Sequence, residues 1–168
     1  MIGILRGSVR PLSLAIFLIG YYCVHAGPDN ISTQAHASAS SELNGRFAAS
    51  NVTDGIIRID GKGEWACKGD TTDWGYIRFP SIKLEWESPQ KINRIVLFDR
   101  PTLRHHIATC KLIFSDGTTL WMNEIPNDGT GKAIRFETKT VKWVKFVVTD
   151  GTGRDLGFSE IEVYPSPE

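Results

Sequence analysis

Residues 107–122 read Ile107-Ala-Thr-Cys-Lys-Leu-Ile-Phe-Ser-Asp-Gly-Thr-Thr-Leu-Trp-Met122, two short strand patterns joined across Ser115-Asp116-Gly117-Thr118. Asp-Gly between two such patterns predicts a hairpin, because a type I′ turn needs positive φ at both central residues. The theme continues upstream. Ile92 to Phe98 ends almost wholly apolar, as a central buried strand should, while Ile82 to Trp86 and Trp74 to Phe79 alternate in polarity. Ile31 to Ser40 alternates in small residues. Downstream lie Ala133 to Glu137, then Val141 to Val148 with Val144, Phe146 and Val148 on one face. Phe158 to Tyr164 follows, with Ile161 and Val163 inward, and Pro165 and Pro167 stop it. After residue 26 no segment sustains i, i+3, i+4 apolar spacing for three helical turns. Many short strands with Gly- and Asp-rich turns predict an all-β antiparallel sandwich or barrel.

The N-terminus has a different grammar. Arg6 and Arg10 precede an apolar run from Leu12 to Tyr22, and Val24-His25-Ala26 places small residues before a cleavage point. This is the order of a secretory signal peptide over residues 1–26. The alternative is a retained anchor, but the run is short of the roughly 20 residues that span a bilayer. The expectation is a secreted chain of residues 27–168, one domain long, with no membrane span. Cleavage would remove Arg6 and Arg10, leaving 17 Lys and Arg against 19 Asp and Glu. Such a balance argues against a nucleic-acid partner, which wants a basic surface. Cleavage would also remove Cys23, leaving Cys67 and Cys110. An even count in an oxidising compartment reads as one disulfide; the other reading is two separate buried thiols.

Five strings stand in a recognisable order: Ala49-Ser-Asn-Val-Thr-Asp-Gly55, Glu64-Trp65, Ile95-Val-Leu-Phe-Asp-Arg-Pro101, Leu112-Ile-Phe-Ser-Asp-Gly117 and Leu156-Gly-Phe-Ser-Glu-Ile-Glu-Val163. Together they resemble the galactose-binding-like jelly rolls: discoidin (coagulation-factor type C) domains and the carbohydrate-binding modules of secreted glycosidases. The likeness is to a branch with Glu-Trp and Asp-Arg-Pro signatures, and it covers essentially the whole of residues 27–168. It implies a β-sandwich of two antiparallel sheets, and a structural calcium where the first long loop meets the final strand. Asp54 and Glu160 match that place, with Ser50, Asn51 and Ile57 able to supply further oxygens. Against calcium, Asp54-Gly55 also reads as a plain turn and Glu160 as a solvated strand residue.

Function is expected on the loops. Residues 60–74, 99–106 and 149–155 concentrate aromatic and charged side chains. Sugars are recognised by flat aromatic faces and by planar polar groups that fix hydroxyl directions. Trp65 or Trp74 can supply the face, and Asp99, Arg100, Arg104, His105 and Arg154 the polar fork. Other readings are that Trp65 packs at the core edge, and that Asp99 and Arg100 form an internal ion pair. Trp74, Trp86, Trp121 and Trp143 lie in strand patterns and read as packing. His105-His106 is not read as zinc, since neighbouring strand residues point to opposite faces and no third ligand is spaced to converge. Catalytic signatures such as Gly-x-Ser-x-Gly and His-Glu-x-x-His are missing from the sequence. Phospholipid binding is disfavoured because Glu64, Asp70 and Asp73 dilute Lys62 and Lys68 around Trp65. Sequons at Asn30 and Asn51 would place either residue on the surface if glycosylated. The leading expectation is a secreted carbohydrate-binding, lectin-like module without catalysis, and the alternative is a protein-binding or adhesion module.

Overall fold

The hairpin at 107–122 forms, but not with the turn its Asp-Gly suggests. In a computed structural model that describes residues 24–25, 29–57, 61–69 and 79–167, β5 (His106–Phe114) pairs antiparallel with β6 (Thr119–Asn123). Among the turn residues positive φ occurs at Gly117 alone (83°), and the Gly117 amide donates to Phe114 O at 2.9 Å. This is a turn over Ser115-Asp116 with glycine at a bulge position. Asp116 Oδ1 holds it by accepting from the Thr118 amide at 2.8 Å.

The remaining strands are β1 (Val24–His25), β2 (His36–Ala39), β3 (Ile56–Ile57), β4 (Ser81–Asp99), β7 (Lys132–Thr152) and β8 (Phe158–Pro165). Thus 82–86 and 92–98 belong to one strand, as do 133–137 and 141–148. The register between β4 and β7 slips between Glu85 and Gln90, where Pro89 sits. A proline cannot donate to a ladder, so it belongs where pairing is already broken. On either side of the slip the two long strands serve different layers. Residues 81–85 of β4 pair β2 and the second half of β7, whose far edge carries β5 and then β6. Residues 92–99 of β4 pair β8 and the first half of β7. The layers therefore hold five and three strands, an antiparallel sandwich.

Both layers contribute to one core. Ile82, Leu84 and Trp86 join Leu112, Phe114, Val144, Phe146 and Val148 from the larger layer, and Ile95, Leu97, Phe158, Ile161 and Val163 from the smaller. The period-two pattern read from Val144-Phe146-Val148 and Ile161-Val163 is thus realised. Ile31 to Ser40 is strand only over β2, after a 3-10 turn at Ser32–Gln34. The expected strand at 74–79 lies almost wholly outside the described residues, as do the leader residues 1–23 and Ala26. Val24–His25, within that leader, pair with Ile56–Ile57. No helix among the described residues is long and apolar enough to cross a membrane.

Candidate functional site

At one end of the sandwich the loops 61–69, 100–105 and 153–157 are locked together. Glu64 is 1 % exposed, and its Oε2 accepts from Arg100 Nε at 2.6 Å. Arg100 Nη1 donates to Asp155 O, and its guanidinium lies 5.2 Å from the Phe47 ring centroid. His105 Nδ1 accepts from the Arg154 and Asp155 amides, both at 3.2 Å. Because Nδ1 accepts, the His105 proton sits on Nε2, 3.9 Å from Asp155 Oδ2. Arg154 Nη2 reaches Gly69 O at 3.4 Å. Gly153, at φ 87°, lets the chains meet: a Cβ there would stand 2.2 Å from Arg104 O.

His106 turns to the other side. Its Nδ1 lies 2.7 Å from Asp99 Oδ2, which also accepts from the Ile107 amide at 2.9 Å. Asp99 Oδ1 takes the Arg100 amide at 2.8 Å. Burial pushes the Asp99 carboxyl up to about 6, and the bonds from Ile107, His106 and Arg100 resist that rise. Toward an ionised Asp99, Nδ1 must donate, which in the neutral ring leaves Nε2 as the acceptor. Adjacent histidines therefore carry opposite tautomers.

The His106 ring lines an open groove of about 480 Å³, shared with Ala108, Thr109, Asn123, Glu124, Ile125, Pro126 and Asn127. Its lining combines apolar Ala108, Ile125 and Pro126 with an imidazole, a hydroxyl, two amides and a carboxylate. Glu124, at φ 55°, is the one non-glycine residue of positive φ among the described residues. Such a conformation costs roughly 1–2 kcal/mol and tends to be kept where a side chain must be aimed. Asn127 Nδ2 donates to Thr102 O at 3.3 Å, joining the groove to the 100–105 loop.

Several expected ligand residues have other tasks. Trp65 is fully buried, stacks on Phe158 at 6.0 Å, and donates its indole N–H to Ser41 O at 3.0 Å. It is core, not a sugar platform. Asp99 and Arg100 do not pair side chain to side chain. Neighbours in sequence, they face apart, Asp99 to His106 and Arg100 to Glu64, and both are buried. Arg104 and Arg154 are exposed and His105 is half-buried; Trp74 lies outside the described residues. Trp86 packs as expected, but Trp121 is 54 % exposed. No disulfide joins Cys67 to Cys110: the two are separate buried thiols, with Cys67 Sγ 3.5 Å from Arg154 O. Burial pushes the Cys110 thiol well above the usual range. Asn30 is 6 % exposed, and its Oδ1 accepts from the Ser32 and Val163 amides. Asn51 Nδ2 donates to Arg46 O and Glu64 O. Neither sequon side chain is presented to a glycan.

Sequence reasoning gave no role to Glu64, His106, Asn123, Glu124 or Asn127. Pro126-Asn-Asp-Gly129 directly after a strand was the signal available for the last three.

A second polar site lies on β8. Glu160 is fully buried; the Gly55 amide lies toward it and slightly favours its charge, but neither carboxylate oxygen makes a well-formed hydrogen bond. Burial pushes its carboxyl up to about 9, and the charges of Asp54 and Glu162 add to the rise. It is not a solvated strand residue. No group of three or more His, Cys, Asp or Glu converges among the described residues. A hard cation fits nonetheless, because calcium takes backbone carbonyls, and an orphaned buried carboxylate beside a second carboxylate is what it would satisfy. Asp54 Oδ1 already accepts the Ile56 amide at 2.8 Å, which fixes the side chain at the end of the 49–55 turn.

Comparison with known proteins gives a consistent picture. The family model described as "Domain of unknown function (DUF7402)" matches residues 30–164. No match is found among curated proteins. Among solved structures, chitosan-binding module 1 from the chitosanase/glucanase of Paenibacillus sp. IK-5 is 24% identical, with a TM-score of 0.60 over 80% of this chain and 98% of that one. The family 32 carbohydrate-binding module of C. perfringens NanJ, solved with galactose, is 20% identical, with a TM-score of 0.61 over 79% of this chain and 95% of that one. The lectin domain of lectinolysin, solved with Lewis B antigen, is 15% identical, with a TM-score of 0.60 over 83% and 99%. The shared architecture is the galactose-binding-like jelly roll.

Proposed function

The chain belongs to the DUF7402 family of domains of unknown function, and we propose that it is a secreted, non-catalytic carbohydrate-binding module that takes a sugar in the groove beside His106. The carrying observation is that groove, with an imidazole aimed into it by a buried carboxylate. Its volume suits a monosaccharide or a short glycan end. Ala108, Ile125 and Pro126 can meet C–H patches while His106, Asn123, Glu124 and Asn127 fix hydroxyl directions. Arg104 and Arg154 are exposed on the neighbouring loops and extend the contact. The same-fold neighbours titled for chitosan, galactose and Lewis b binding support a sugar ligand, although fold alone does not dictate function. Glu124 is the one carboxylate among the lining residues, whereas glycoside hydrolysis ordinarily uses two. Secretion rests on the leader pattern of residues 1–26.

Calcium is the proposed structural cofactor. Asp54 and Glu160 would hold it, with carbonyl oxygens from Ser50 and Asn51. Bound there, it supplies the counter-charge that lets Glu160 ionise and fastens the 49–55 turn to the last strand.

The test is a glycan array of residues 27–168, with calcium or with chelator, beside a His106→Ala variant. Binding that the variant loses while keeping its fold supports the reading. A protein partner is the second reading, with the fully exposed Leu103 of the 100–105 loop as the place its contact would be sought. A folded protein silent across the array moves the assignment to that partner.

A further inference from the structure

The outer face of the five-stranded layer carries a charge pattern that the loop site does not use. Its outward residues lie in cross-strand rows. Ser38, Lys83, Lys145, Ile113 and Thr119 form one row, and Ser81, Val147, Lys111 and Trp121 the next. Glu85 stands opposite Trp143 and His36 at the start of a third. Across five strands the face is about 19 Å wide.

Two features of this face work against stability. Lys83 and Lys145 are directly opposite, and like charges so placed repel. Trp121, on the edge strand β6, leaves 54 % of its surface in water, with Lys111 Nζ 5.5 Å from its ring centroid. Glu85 is the acid of these rows, and it is engaged by Lys83 at 2.6 Å. No carboxylate among the described residues pairs with Lys111 or Lys145. The chain as a whole carries 19 basic and 19 acidic residues, so this excess is segregation, not composition.

We propose that this face binds an acidic polysaccharide, with Lys111 and Lys145 meeting its carboxylates and Trp121 covering its sugar C–H faces. The surface is a flat sheet, so its ligand must be extended instead of end-bound. The cations are lysines, point charges that tolerate varied carboxylate directions along a polymer. Indole faces suit sugar rings. The surface adjoins the His106 groove, since Thr109 and Asn123 of its lining stand two residues from Lys111 and Trp121 on the same face, and it adds to the groove a chain-holding surface.

The test compares retention on polygalacturonate with retention on the same polymer methyl-esterified, which keeps the backbone and removes the charge. Wild-type protein should bind the free acid at least about tenfold more tightly, and the difference should shrink as salt rises. Lys111→Gln/Lys145→Gln and Trp121→Ala should each weaken free-acid binding by about tenfold, with fold checked by circular dichroism because the two lysines are half-buried and only Trp121 is exposed. The lysine variant should keep neutral-glycan binding at the His106 groove, whereas His106→Ala should lose the neutral glycan and retain polygalacturonate. Equal retention of both polymers would overturn the proposal. So would variants that bind as wild type, or a single-stranded oligonucleotide that binds through the same lysines more tightly than polygalacturonate.

Discussion

Replacing Arg100 by leucine should unfasten the loop end of the sandwich. The side chain is nearly enclosed, with 9 % of it exposed, and its partner Glu64 has 1 %. Leucine keeps much of the apolar stem but removes the 2.6 Å bond to Glu64 Oε2, the bond to Asp155 O and the contact with Phe47. Glu64 Oε1 has no hydrogen-bond partner even in the intact protein, so the variant strands a whole carboxylate. Breaking a buried pair from one side costs about 3–5 kcal/mol, against a typical total stability of roughly 5–15 kcal/mol. For a domain of this length that lowers Tm by roughly 10–20 °C. Urea unfolding followed by tryptophan fluorescence measures it, since Trp65 adjoins Glu64 in the buried core. The double variant Glu64→Leu/Arg100→Leu should recover most of the loss, because no buried charge is left without its partner. A single variant that costs less than about 1 kcal/mol would refute the reasoning, as would a double variant no better than the single.

Three further outcomes follow from the buried groups. Asp99 titrates at about 6 in the fold against an ordinary 3.8; its contribution to stability is therefore complete below about pH 4 and declines by about 3 kcal/mol as pH rises through 6. Asp99→Asn should lack that decline in urea midpoints compared from about pH 4 to 7. Cys67 and Cys110 should alkylate as thiols once the protein is unfolded without reductant, and dithiothreitol should leave Tm unmoved; a bridge between them would show as a loss of roughly 4 kcal/mol on reduction. Trp65→Ala should cost about 3–5 kcal/mol in thermal or urea unfolding, as a core truncation does; unchanged stability with lost sugar binding would return Trp65 to the ligand.

How far the residues disclosed the molecule depends on the range of the interaction that decided each feature. Val144-Phe146-Val148 and Ile161-Val163 were legible because period-two alternation is local and each strand has one buried side. The union of 82–86 with 92–98 was not. Pro89 reads as a strand end, and only the slipped register between β4 and β7 shows that the chain continues through it. Within the loop cluster, the expected pairing of Asp99 with Arg100 does not form, because adjacency was taken for contact. Asp99 and Arg100 touch in sequence, but strand geometry sends neighbours to opposite sides, and their true partners lie 7 and 36 residues away. Trp65 shows the same limit, for only its full burial, the Phe158 stack and the Ser41 carbonyl distinguish a core indole from a sugar platform. The parity argument for the cysteines failed differently, because it concerned a compartment and carried no geometry. Glu160 completes the argument. A carboxylate between isoleucine and serine reads as polar and exposed, and only burial beside the 49–55 turn makes it a carboxyl whose titration is pushed up to about 9, the group on which the calcium proposal rests.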